Sequence, residues 1–211
     1  MRPFHHHLIE VSLSELRPTQ AAIGFEEVTI KRQEWQSLSR PNFKKIINQH
    51  WFPGVIGPGG TYYIVDHHHL GMALHLEACS KVKLTVLQDF SWLDQDSFWK
   101  LLEFHQWVHP YDEKGKRISF QKIPTQISEL KDDPYRSLAG IARRSGAFAK
   151  DITPFSEFLW ADFYRLRIDK SVLKSSPSHA LELAHQLAKL RHASYLPGWI
   201  GESNPNTDRD D

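Results

Sequence analysis

The chain has 211 residues, of which 40% are hydrophobic and 24% charged, a composition typical of globular proteins rather than disordered or fibrous ones. The 26 lysines and arginines nearly balance the 25 aspartates and glutamates, which argues against a protein that is basic over its whole surface and leaves a local basic patch open. Cys79 is the only cysteine and no apolar run approaches the length of a bilayer span, so a cytoplasmic protein without an intrachain disulfide is expected.

The first half of the chain alternates between strand and helix patterns. Strands are predicted over residues 8–11, 62–65 and 82–87, and helices over residues 26–38, 43–47, 66–79 and 94–106. Arg40-Pro41 is interpreted as a break between the first two helices. Residues 52–60 are rich in glycine and proline and are interpreted as a loop. No Gly-Lys-Ser/Thr follows them, so they lack the pattern of a phosphate loop.

The second half of the chain is mainly helical. Helices are predicted over residues 134–146, 155–166 and 180–191. The fold class is therefore predicted to be α+β. We expect an α+β core over residues 1–120, a helical extension packed on that core over residues 121–200, and a polar tail over residues 201–211.

The segment with the most candidate functional side chains joins a predicted buried strand to a helix. Asp66 is expected to cap this helix, whose first turn then carries His67, His68 and His69. A helix N-terminus has unpaired N–H groups and a partial positive charge, which favour an anion such as phosphate. Imidazoles at this position can donate to phosphate oxygens, transfer a proton or bind a metal. A solvated turn without chemistry is the alternative interpretation.

Two segments together resemble the ParB/sulfiredoxin-like superfamily. They are residues 14–20, interpreted as an acid-containing helix, and residues 65–70, which are followed by Ala73. Residues 132–140 and 157–163 resemble, more narrowly, the branch called putative ParB-like nucleases, so the similarity extends over roughly residues 8–170. The resemblance implies a small mixed sheet with surrounding helices.

In that superfamily the motif at the helix start holds the phosphates of a nucleotide. Members with an Asp-Gly-His-His-Arg pattern match Asp66 here, with His67 in place of the glycine and Leu70 in place of the arginine. The resemblance therefore implies that His68 and His69 contact phosphate. The sulfiredoxin cysteine has no counterpart beside these histidines, so sulfinic-acid reduction is not expected.

The loss of the motif arginine removes a bidentate phosphate donor. Its positive charge would have to come from Arg17, Lys31 or Arg32. Thr19 and Gln20 are candidates to donate to a phosphate or a base, and a role in stabilising a turn is an equal alternative. The candidate ligand-binding residues are Arg17, Thr19 and Gln20 together with the three histidines.

The candidate catalytic residues are His68, His69, Glu27 and Asp66. Either histidine could stabilise a phosphoryl group, and Glu27, or its neighbour Glu26, could act as a general base. First-turn acids that simply favour their helix are the alternative. Adjacent helix positions point about 100° apart, so one of the two histidines can be structural. No metal-ligand set is assigned, because three consecutive helical residues cannot converge on one ion.

The sequence therefore predicts an enzyme that acts on phosphate esters, either a nuclease or a nucleotide-dependent phosphotransferase or hydrolase. A nucleoside di- or triphosphate and Mg²⁺ are the expected cofactors, and a nucleotide or nucleic-acid phosphate is the expected partner. The alternatives are a non-enzymatic ParB-type module, nucleotide-gated or DNA-associated, and a degenerate scaffold. No helix-turn-helix pattern or overall basic excess favours DNA binding. The oligomeric state is left open.

Overall fold

The computed structural model describes residues 7–202, which divide into two compact units. The sheet unit extends to Asp133 and the helical unit begins at Pro134. The predicted core ended at residue 120, whereas Ile127 and Leu130 belong to the apolar core of the sheet unit. The predicted tail lies, except for its first two residues, outside the described part of the chain.

Residues 7–202 contain seven strands and eight α-helices. The strands are β1 (His7–Ser12), β2 (Leu16–Pro18), β3 (Ala22–Ile23), β4 (Phe52–Gly57), β5 (Thr61–Ile64), β6 (Lys81–Asp89) and β7 (Lys131–Asp132). The helices are α1 (Phe25–Gln36), α2 (Arg40–Gln49), α3 (His68–Leu76), α4 (Gln95–Phe104), α5 (Pro134–Arg144), α6 (Ser156–Arg165), α7 (Lys170–Ser175) and α8 (Pro177–Ala188). None of them is long and apolar enough to cross a membrane.

Five of these strands form a mixed sheet in the order β1-β6-β4-β5-β2. β4 pairs parallel with β6 and antiparallel with β5, and β2 pairs parallel with β5, where Arg17 lies opposite Tyr63. β3 and β7 form a second, two-stranded parallel sheet. The predicted architecture, a small mixed sheet with surrounding helices and a mainly helical C-terminal part, is confirmed.

The main sheet is covered by apolar side chains on both faces. On one face, the α3 face, Leu16 and Ile64 pack with Leu74 of α3. On the other, the α4 face, Tyr63 packs with Phe98 of α4. Successive residues of a strand point to opposite faces, so the almost continuous apolar run of β5 is explained by burial on both sides.

Two local predictions were wrong. Residues 52–60 are not a loop, because β4 occupies most of them. Gly54 and Gly57 are required there by close approach: a Cβ at either position would lie 2.6 Å from an atom of Tyr63 on the neighbouring strand. Residues 14–20 are not a helix either, since a single 3₁₀ turn at Leu13–Glu15 leads directly into β2.

The helical unit has an apolar core of its own. Phe148 and Trp160 stack with ring centroids 4.0 Å apart, and Trp160 is fully buried. Arg136 of α5 is a charged residue that is only 7% exposed. Arg136 and Arg143 both form ion pairs with Glu157 of α6, so their charge is used to join two helices.

Candidate functional site

The turn before α3 has an unusual backbone. His67 adopts the left-handed conformation (φ 65°, ψ 25°), and the helix begins at His68 without a side-chain cap. The prediction that Asp66 caps this helix was therefore wrong. Its Oδ1 accepts a hydrogen bond from the adjacent His67 N–H at 2.6 Å. A residue other than glycine costs about 1–2 kcal/mol in this left-handed conformation, whereas glycine adopts it without strain.

His68 points into the protein rather than toward solvent. Its side chain is 2% exposed, and its Nε2 accepts a hydrogen bond from the Thr19 N–H at 3.0 Å. The Thr19 hydroxyl in turn donates to the Ile64 carbonyl at 3.0 Å. Burial lowers the pKa of His68 to about 3, although the nearby Asp66 charge acts in the opposite direction. His68 is thus a neutral imidazole that joins the end of β2 to the first turn of α3.

His69 is directed toward the start of α1. Its Nε2 lies 3.2 Å from Glu27 Oε2 and 3.2 Å from the backbone nitrogen of Gly24. Both side chains are largely buried, at 15% exposed for His69 and 12% for Glu27. The nitrogen can accept from the amide only when it is unprotonated, and can donate to the carboxylate only when it carries a hydrogen. The position of one proton therefore decides which contact forms.

The start of α1 is held by an acid from far along the chain. Asp132 Oδ1 accepts a hydrogen bond from the Phe25 N–H at 2.9 Å, while β7 pairs with β3 alongside it. Asp132 stands two residues before the helix that begins at Pro134, and its side chain accepts from the first turn of α1. This contact places the first turn of α1, which carries Glu27, against the second small sheet.

Thr19 and Gln20 are both buried and belong to the same junction as His68. The Thr19 carbonyl accepts from the His109 N–H at 2.9 Å, and Gln20 forms an isolated β-bridge with the same residue. The charge of His109 is one of the smaller contributions that lower the pKa of His68. Sequence reasoning missed His109, because no motif surrounds it and its partners lie about 90 residues earlier in the chain.

A group of basic side chains lies beside the start of α3. The His67 Nδ1 is 2.9 Å from the Trp51 carbonyl oxygen, which accepts a hydrogen bond from this nitrogen. Burial, and then the positive charges of Lys31 and His67, lower the pKa of His50. Arg32, also considered as a source of charge, is paired with Glu77 at 2.7 Å. Arg32 is therefore held in an ion pair, whereas the charge of Lys31 acts on His50.

Arg17 is not brought together with the histidines. It follows Leu16 in β2 and therefore points to the α4 face, whereas α3 covers the other face. There it lines a cavity of about 240 Å³. In the described part of the chain, no group of three or more His, Cys, Asp or Glu side chains is arranged to hold a metal ion. The Mg²⁺ expectation stays a prediction.

Residues 9–166 match the protein family described as "Putative ParB-like nuclease". The chain belongs to this ParB-like family. The ParB-like chain is also similar to the crystal structure of protein Atu1540 from Agrobacterium tumefaciens, with 43% sequence identity and a TM-score of 0.88. That similarity covers 94% of this chain and 100% of the other. No curated protein matches the ParB-like chain.

Proposed function

We propose that this ParB-like protein binds a phosphate group at the start of α3 and acts on phosphate esters. Glu27 and His69 would take the proton from the water or hydroxyl that attacks the phosphorus. The observation that carries the proposal is the short contact between these two side chains, which joins the first turns of α1 and α3. Helix N-termini favour anions, and an imidazole paired with a carboxylate is a common general acid–base arrangement.

The phosphate would be bound by backbone and basic groups together. α3 begins without a side-chain cap, so the first N–H groups of the helix are suited to donate hydrogen bonds to an anionic ligand. Lys31, whose charge lowers the pKa of His50, would add positive charge nearby. The family description favours a nucleotide or nucleic-acid phosphate as ligand. Mg²⁺ would then be held mainly by phosphate oxygens.

Each residue has a distinct part in this proposal. Glu27 accepts a proton from the attacking water or hydroxyl, either directly or through His69. When it is doubly protonated, His69 donates a hydrogen bond to the phosphoryl oxygen, whose charge increases in the transition state. His68 contacts no ligand and fixes α3 against Thr19.

A binding module without catalysis is the second candidate. It is favoured by the burial of the neutral His68, which leaves one histidine of the motif pair, rather than two, for phosphate contact. Such a module would bind a nucleotide or nucleic acid through the same helix start. The two candidates therefore share a ligand and differ in turnover.

The binding step is tested by thermal unfolding with ATP, ADP, CTP and GTP, each with and without Mg²⁺. A ligand that binds only the folded state stabilises it by about 2.7 kcal/mol at a hundred times its dissociation constant. We expect a shift with at least one nucleotide that is lost in His69→Ala. His75→Ala, on the exposed side of the same helix, is the matched control and should keep the shift.

The catalytic step is tested by incubating the protein with that nucleotide, with bis(p-nitrophenyl) phosphate and with single- and double-stranded DNA. Glu27→Gln should keep the thermal shift and lose turnover by about a hundredfold or more. A shift without turnover on any substrate would identify the binding module. Thermal unfolding that is unchanged with every nucleotide and with DNA, together with no hydrolysis of any of these substrates, would contradict both candidates.

A further inference from the structure

A second candidate site lies on the α4 face of the sheet, away from the histidines. Its cavity of about 240 Å³ has buried apolar walls, formed in part by Tyr63, Trp99 and Ile123. The exposed side chains of Gln95 and Gln121 line it as well. The volume is below the roughly 300–1,000 Å³ of pockets for drug-sized ligands, so the ligand would be smaller.

Arg17 is the charged residue among those that line this cavity. It is half-buried, and its side chain forms no ion pair or hydrogen bond with any of residues 7–202. A partly buried guanidinium without a partner is unfavourable, and a carboxylate satisfies it through two parallel hydrogen bonds. The unpaired Arg17 therefore points to an anionic ligand.

Aromatic rings form part of the cavity wall. The ring of Trp99 stacks on Phe120 with centroids 5.6 Å apart and planes 7° from parallel. Tyr63 meets Trp99 edge-on, at 5.4 Å and 83°. These contacts fix a rigid aromatic wall, and such walls favour a planar ring as partner.

We propose that this cavity binds a small aromatic carboxylate, with the carboxylate paired to Arg17 and the ring against Trp99. A single arginine accompanied by neutral amides matches one negative charge better than the two charges of a phosphate monoester. The site is independent of the proposed phosphate site, because Arg17 faces the opposite side of the sheet from α3.

The test is isothermal titration of the full chain with benzoate and indole-3-acetate. Their neutral amides, benzamide and indole-3-acetamide, and phenyl phosphate are titrated alongside. The acids should bind about tenfold to a hundredfold more tightly than the amides, because only the acids form charge-assisted hydrogen bonds. Phenyl phosphate should bind more weakly than benzoate.

Variants of Arg17 test whether the preference for acids over amides depends on this side chain. Arg17→Gln should weaken benzoate binding by about tenfold or more and leave benzamide unchanged. Arg17→Lys keeps the charge but cannot form the two parallel hydrogen bonds of a guanidinium, so it should give an intermediate affinity. Arg40→Gln, an exposed arginine at the start of α2, is the matched control.

Three results would overturn the proposal. They are an absence of acid binding at millimolar concentration, equal affinity for acids and amides, and stronger binding of phenyl phosphate. The comparison of acids with amides uses the wild-type chain, so the proposal remains testable even if an Arg17 variant does not fold.

Discussion

The Nε2 of His68 accepts the backbone N–H of Thr19 at 3.0 Å, across 49 positions of the sequence. This bond joins the end of an edge strand to the first turn of α3. Its acceptor is buried and neutral, because burial lowers the pKa of His68 to about 3. One of the three motif histidines is thus part of the architecture that positions the other two.

Replacement of His68 should therefore affect folding. His68→Ala removes a buried ring and leaves the Thr19 N–H without its acceptor, so we expect a loss of about 2–4 kcal/mol in the free energy of unfolding. Urea denaturation followed by circular dichroism measures it. His75→Ala, at an exposed position of α3, should stay within about 0.5 kcal/mol of the wild type. An equally small loss in both variants would contradict the structural role.

The pKa of His68 predicts a dependence of stability on pH. The ordinary pKa of 6.5 applies to the unfolded chain and about 3 to the folded one, so between these values the unfolded state binds the extra proton. Stability is therefore fully present above pH 6.5 and falls as the pH is lowered, by up to about 1.4 kcal/mol per unit from this one group. The decline continues until the pH reaches the folded pKa.

Urea denaturation between pH 7 and 5 checks that dependence, in a window above the titration of most carboxylates. The slope attributable to position 68 is obtained by comparison with His68→Gln, which does not titrate. Wild type and variant with the same slope would show that His68 is not kept neutral by folding.

The left-handed conformation of His67 predicts a difference between two small substitutions. His67→Gly and His67→Ala both remove the imidazole and its contact with the Trp51 carbonyl. Glycine adopts this conformation without strain, so the Gly variant should be about 1 kcal/mol more stable than the Ala variant. Denaturation of the two variants side by side measures the difference, and a more stable Ala variant would contradict the assigned backbone.

The helical unit offers a test of a buried charge. Glu157→Gln keeps the size of the side chain but removes the charge that pairs with Arg136, which is 7% exposed. We expect a loss of about 3–5 kcal/mol, measured by thermal or urea unfolding. Glu182→Gln, whose side chain is 71% exposed, is the control and should have little effect. A small effect at both positions would mean that Arg136 does not depend on this pair.

Periodicity in the sequence was sufficient to predict the strands β1, β5 and β6 and most of the helices. It failed at β4, because Gly54 and Gly57 resemble turn residues and yet are there to let Tyr63 approach closely. Because β2 was not predicted as a strand, the face of the sheet to which Arg17 points was not predicted either. The alternation of Arg17 with Leu16 and Pro18 would have placed it on the opposite face from α3.

The candidate site could be predicted from the sequence only in part. The 100° spacing of helix positions predicted that His68 and His69 need not face the same way, and the structure separates them into a buried and a partly exposed residue. Which of them is buried depends on contacts with Thr19 and Glu27, both of them more than 40 positions away. No local pattern contains that information.

Three consecutive identical residues are thus constrained in three different ways, and each should accept a different set of replacements. Position 67 should tolerate glycine, asparagine or aspartate, which adopt left-handed geometry, and should reject β-branched residues. Position 68 should tolerate only a neutral acceptor of similar size. Position 69 should require a side chain that can exchange a proton with Glu27. A saturation library over this tripeptide would yield three unrelated substitution profiles from one short run of sequence.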